Sequence, residues 1–366
     1  MVFNNWQFWV GWGISALFLI ILLLFIDPGE LSEALRSANY LYIIPALGLY
    51  FTAVYFRAAR WRYLLMPVRS LPVGRLYPVV IIGYTANNLL PARLGELVRA
   101  YFLAQREPVS GSSALATIGV ERVYDGLTLL AFAAVSAPLL LLLGSFEGTG
   151  SGYQTTALVF SAATAGLFVG ALVFLTLLAV EPRSVALIQR MLQFLPARLR
   201  PLAQDLTQKF VLGLTTLSSP KQHLSLFLRS LPIWVLEGGM YLIIAYSFGI
   251  DGYFSSLGVL LLAVALVTAT SNLITALPAS IGGIGPFEVV AQQTLVGLGV
   301  GASVAASYAV VLHLVALWLP VNLAGLILLW RQNLSFRQLT RNRGDATREQ
   351  AESYSSTLPQ PKEDLS

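Results

Sequence analysis

The stretch NNLLPARLGELVRA (87–100) carries Arg93, Glu96 and Arg99 at i, i+3 and i+6, a spacing that aligns all three along one helical stripe. A second group follows in GVERVYDGLTLL. There Glu121 and Asp125 stand at i and i+4, with Arg122 able to pair with either acid or with Glu96. Glu237 is a lone acid inside IWVLEGGMYLI. Glu288 and His313, 25 residues apart, reproduce the 26-residue interval from Glu96 to Arg122. A planar guanidinium grips a phosphate through two parallel hydrogen bonds, and neighbouring carboxylates can orient it or carry protons. The candidate anion-binding groups are Arg93, Arg99 and Arg122 with Asn88 and the glycine-rich turn Gly282, Gly283 and Gly285. The candidate charge-coupling groups are Glu96, Glu121, Asp125, Glu237, Glu288 and His313.

Two plainer chemistries fit the same residues: a salt-bridge network that locks helices together, or a proton relay. Glu121 and Asp125 could also do acid–base work or hold a divalent metal beside a lipid phosphate, although acids flanking an arginine are more often a structural pair. No cofactor, resident metal or catalytic residue is expected. His223 and His313 are the only histidines and cysteine is absent, so no His-based metal site, triad, disulfide or thiolate can be assembled. GGIG lacks the strand–helix setting of a dinucleotide site, and no Walker A sequence is present.

The setting of these charges gives them their meaning. Of 366 residues 56% are hydrophobic and 11% charged, where a soluble domain carries about 25% charged residues. Mean hydropathy is +0.70. Several apolar runs approach or exceed the roughly 20 residues that span a bilayer, so the chain is an integral membrane protein. Its first run, FWVGWGISALFLIILLLFI (8–26), has no basic flank before it and DPGE after it, which makes a retained helix and not a cleaved leader. The isoelectric point near 9.4 comes from arginines distributed loop by loop, and no aromatic-basic platform for nucleic acid is visible.

Loop arginines and lysines mark the cytoplasmic side. The segment 57–75 holds five arginines and no acid, 181–222 holds six basic residues against Glu181 and Asp205, and 331–343 holds four arginines. By contrast 27–39 has three acids and one arginine, 145–155 has only Glu147, and 250–256 has only Asp251. Full crossings are then expected at 8–26, 38–56, 123–144, 156–180, 223–249 and 302–330, with both termini cytoplasmic in an inner membrane. Two segments break this rule. The run 76–90 is short for a crossing and carries Pro78 and two asparagines, so 76–106 reads as a re-entrant hairpin. The segment 257–299 breaks at PASIGGIGPFE, where a hairpin or two full crossings give the same charge pattern.

TANNLLPARLGE (85–96) and TSNLITALPASIGGIGPFE (270–288) share an order: Thr and Asn, then Pro-Ala, glycine, and a glutamate opening a helix. The flanking elements repeat in order as well, with an odd offset that inverts the second copy, the design of many transporters. The expected fold is therefore an all-α polytopic bundle of about six crossings plus two broken hairpins, built as an inverted repeat of 1–150 and 151–339. Steps of three and four from Leu199 to Leu217 place an amphipathic cytoplasmic helix within 183–217. The tail 340–366 lacks apolar periodicity and is expected to be disordered.

Taken together, NNLLPARLGELVRA, ERVYDG and PASIGGIGPFE resemble the transmembrane, flippase-like region of the lysylphosphatidylglycerol synthase family over about 8–330. The resemblance implies a polytopic protein that moves a lipid between leaflets, an aminoacylated phospholipid or a polyprenyl-linked sugar. It maps one motif onto Asn88, Pro91, Gly95, Glu96 and Arg99, and another onto Glu121, Arg122 and Asp125. Two departures stand out. Nothing after Trp330 has the makings of the soluble aminoacyl-transferase domain, so a stand-alone member without lysyl transfer is expected. His313 also stands where relatives often place an arginine. The expected partner is a membrane lipid, with a homo-oligomer or a lipid-synthesising enzyme also compatible. The rivals are a lipid-modifying enzyme, a proton-coupled small-solute transporter and an assembly protein.

Overall fold

The computed structural model describes residues 28–90, 94–145, 151–180, 220–276 and 280–331, together with Gly13, Leu17 and Ile20. The expected crossing 8–26, the amphipathic segment 183–217, the tail 340–366 and the Pro-Ala pairs at 91–92 and 278–279 lie outside the described residues, apart from those three positions of the first run. All regular structure among the described residues is helical. A short helix α1 (Pro28–Ser37) leads into the long α2 (Ile43–Leu65), and α3 (Val73–Leu89) and α4 (Gly95–Arg106) form the first broken pair. Then come α5 (Gly111–Leu142), α6 (Ser151–Val180) and α7 (Pro220–Ser247). The second broken pair is α8 (Leu257–Thr275) and α9 (Pro286–Gly297), and α10 (Ala302–Arg331) closes the order.

Among the described residues, five helices are long and apolar enough to cross a membrane: Tyr40–Leu65, α5, Lys221–Ser247, α8 and α10. The 17-residue α3 and 12-residue α4 are not among them. At 1.5 Å per residue they reach only about 25 and 18 Å, against a hydrocarbon core of about 30 Å. The arm α9 also has 12 residues, whereas α8 has 19, enough to cross on its own.

One boundary corrects the sequence reading. The crossing expected to end at 56 continues to Leu65, so Arg57 and Arg60 are helical residues and not loop charges. They lie in the same buried face as Tyr50, Val54, Trp61 and Leu65, a stripe that runs in steps of three and four. Likewise α5 begins at Gly111, not near 123, which moves Glu121, Arg122 and Asp125 from a helix start to a helix interior.

The packing is reciprocal. Helices α2 and α7 pack along each other, α3 packs on the end of α10, and α8 packs on α5. Each first arm thus lies on a long helix distant from it in sequence. Close approach between α3 and α10 requires Gly325, because a Cβ there would collide with the Thr85 side chain. Thr85 Oγ1 donates to the Ile81 and Val321 carbonyl oxygens, at 3.1 and 3.0 Å.

Candidate functional site

The breaks show how backbone groups freed where a helix is interrupted are satisfied, a necessity wherever water is scarce. At the first, the Gly95 N–H donates to Asn87 Oδ1 at 2.7 Å, and Asn87 Nδ2 donates to Glu96 Oε1 at 3.2 Å. Gly95 has no room for a side chain, since a Cβ would overlap the Gly83 carbonyl oxygen of the facing arm. At the second, Gly282, Gly283 and Gly285 all have positive φ (62°, 78° and 97°), which only glycine adopts without strain. Pro286 opens α9, and the Gly285 N–H donates to Glu288 Oε2 at 2.7 Å. The sequence reading reserved this positive helix end for a ligand anion. In the structure the carboxylate taking the Gly285 amide is the chain's own Glu288.

Both breaks open onto one cavity of about 490 Å³. The first hairpin contributes Asn87, Asn88 and Glu96 to its wall; the second contributes Asn272, Gly282 and Gly283. The long helices add Arg57, Arg122, Asp125, Trp234, Glu237, His313 and Trp318. Asn88 Nδ2 reaches Asn322 Oδ1 at 3.5 Å.

The charges form a continuous network. Arg57 donates to Glu237 at 2.5 Å and lies 3.5 Å from Asp125. Arg60 donates through Nη1 to Asp125 at 2.8 Å and to Ser230 at 2.7 Å, and its Nε lies 3.8 Å from Glu121. Trp234 Nε1 donates to the same Asp125 oxygen at 3.2 Å. Arg99 binds Glu121 at 2.7 Å and lies 3.6 Å from the centre of the Trp61 ring. Arg122 reaches Asp125 at 3.4 Å with its side chain one-third exposed (33%), whereas Arg57, Arg60 and Arg99 are all buried. A charge at the bilayer centre costs roughly 2.5–3.5 kcal/mol even on the lenient insertion scale, and close pairing offsets much of that.

His313 Nδ1 pairs with Glu288 Oε1 at 2.7 Å, and the imidazole stacks on Phe287 with ring centroids 4.2 Å apart. The surrounding segment Val311–Trp318 is π-helical, with the Leu319 N–H reaching back to the Leu314 carbonyl. Pro320 can donate nothing to Ala316, and a widened turn ahead of it accommodates the missing bond. Such π segments recur at functional sites.

Several sequence candidates therefore meet at the cavity: Asn88, Glu96, Arg122, Asp125, Glu237, Gly282, Gly283 and His313. Arg99 and Glu121 lie behind its wall, joined to each other, and Gly285 and Glu288 lie beneath the second break. Arg93 lies outside the described residues. Arg57, Arg60, Trp61 and Trp234 were missed. The signal that could have found the first three is the unbroken three-four periodicity running from Tyr50 through Arg57 and Trp61 to Leu65.

Curated relatives share this chain at low identity. A UPF0104 membrane protein of Methanothermobacter thermautotrophicus is 26% identical over 84% of this chain and 90% of its own length. The glycosyltransferase AglD of Haloferax volcanii is 27% identical over 75% of this chain, which spans only 46% of AglD. No solved structure matches. Residues 8–324 match the family described as the lysylphosphatidylglycerol synthase TM region, and the chain belongs to that family.

Proposed function

We propose that this protein moves a phosphate-bearing lipid between the two leaflets of a membrane, with the headgroup passing through the cavity between the hairpin breaks. Family membership by itself gives the coarser statement, a membrane protein in a lipid-related role. The observation that carries the finer reading is the convergence of both breaks and an arginine–carboxylate network on one hollow. Arg122 is the cation placed to take a ligand phosphate, since it lines the cavity and its side chain is partly exposed. Arg57, held by Glu237, provides a second positive edge. Four carboxylates (Glu96, Glu121, Asp125, Glu237) balance the four guanidinium groups, which favours passage over tight retention.

A leaflet-labelled lipid in proteoliposomes tests this. Arg122→Ala protein that folds normally is expected to lose at least tenfold in rate, and wild-type rates from it would overturn the proposal. A second reading, coupling of the movement to protons, draws on the Glu288–His313 pair beneath the second break.

A further inference from the structure

A groove of about 550 Å³ opens between α2 and α7, and among the described residues it shares no lining side chain with the central cavity. Phe56, Leu224 and Leu228 form exposed apolar walls. Lys221 and Arg229 are exposed at its rim, and Arg60, only 1% exposed, closes its floor. Arg229 leans on the Tyr63 ring, 4.5 Å from its centre, and holds Ser225 at 3.4 Å.

Charge distinguishes this groove from an ordinary lipid-facing seam. Arg60 at the floor is already held by Asp125, Ser230 and Glu121, so the cations left for a ligand are Lys221 and Arg229 at the rim. The groove has no acid among its described lining residues, whereas acids balance the arginines of the central cavity. Two rim cations beside an apolar trough match a phosphate attached to an acyl chain.

We propose that this groove binds an anionic phospholipid, its phosphate between Lys221 and Arg229 and its acyl chain against Leu224 and Leu228. Asp125 touches Arg60 on the groove side and Arg57 and Arg122 on the cavity side, so one carboxylate links the two sites. The site does not depend on transport, since a resident lipid is compatible with any activity of the cavity.

The test is binding of short-chain phosphatidylglycerol against phosphatidylcholine to the purified full chain in detergent, with inorganic phosphate as competitor. Wild type is expected to prefer phosphatidylglycerol about thirtyfold, from two rim cations of about 1 kcal/mol each. Lys221→Ala/Arg229→Ala is expected to bring that preference close to unity. Leu228→Trp, which fills the trough without changing charge, is expected to weaken phosphatidylglycerol binding as well. Lys221→Ala/Arg229→Ala leaves every lining residue of the central cavity in place, which separates this site from the cavity reading. Equal binding of the two lipids by wild type, or an undiminished preference in the double variant, overturns the proposal. Displacement by millimolar phosphate overturns it too, and assigns the groove to the free anion.

Discussion

Arg57 on α2 and Glu237 on α7 hydrogen-bond at 2.5 Å although 180 residues separate them in sequence. Their pairing ties α2 to α7. The Trp234 ring lies 4.6 Å from the guanidinium carbon and shields the pair. Attraction at close range in a dry setting is large, and so is the cost of stranding one partner.

Glu237→Ala should therefore lower unfolding stability in detergent by about 3 kcal/mol, the low end for a broken buried pair. Asp125, 3.5 Å from Arg57, retains part of the compensation. Replacing both partners, Arg57→Leu/Glu237→Leu, should cost less than the sum of the single changes. Thermal unfolding across that double-mutant cycle checks this, and strict additivity would refute the coupling.

Gly95→Ala should be far more damaging than its chemistry suggests. The new Cβ would overlap the Gly83 carbonyl oxygen and the Asn87 side chain, which fix how closely α3 and α4 approach. Overpacking of this kind costs about 1–3 kcal/mol or more, and the well-folded fraction after size-exclusion chromatography should fall. Gly111→Ala is the control: its nearest neighbour would be 3.9 Å away, and stability should stay within about 0.5 kcal/mol.

These contrasts mark what was legible beforehand. The two hairpin breaks, the short first pair of arms and the clustering of Glu96, Arg122 and Asp125 could be read from proline, glycine and charge in an apolar chain. Arg57 and Arg60 could not be read by the same method. An arginine near a helix end counts as a loop charge in any topology argument, and its partners Glu237, Asp125 and Ser230 lie 65 to 180 residues away. The setting of Glu288 was likewise half visible: a matching interval set it and His313 as counterparts of Glu96 and Arg122, but their contact and the bond it accepts from the Gly285 amide depend on a backbone turn that periodicity does not encode.

Arg99 and Arg122, both read as phosphate ligands from their spacing, should now separate. Arg99 is buried, stacked on Trp61 and bound to Glu121, so Arg99→Ala should cost about 3–5 kcal/mol of stability. Arg122 is one-third exposed in a long 3.4 Å pair, and Arg122→Ala should cost no more than about 1 kcal/mol. Measuring stability and lipid movement on the same preparations gives the pattern: the Arg99 change appears in unfolding, the Arg122 change in rate. A reversed pattern would place the ligand phosphate behind the cavity wall instead of within it.

Glu288 has two attachments, the Gly285 N–H and His313 Nδ1, each at 2.7 Å, and one substitution can tell their consequences apart. Glu288→Ala removes the acceptor from the amide at the start of α9 and strands the imidazole, and should cost about 1–3 kcal/mol. Glu288→Gln keeps an oxygen for the amide but cannot exchange a proton, so its stability should stay within about 1 kcal/mol of wild type. If the pair carries coupling protons, the Gln protein will still move lipid in symmetric buffer while losing its response to an imposed pH gradient. If the pair only seals the second break, the Gln protein will answer the gradient as wild type does, and the proton-coupled reading fails while lipid movement through the cavity stands.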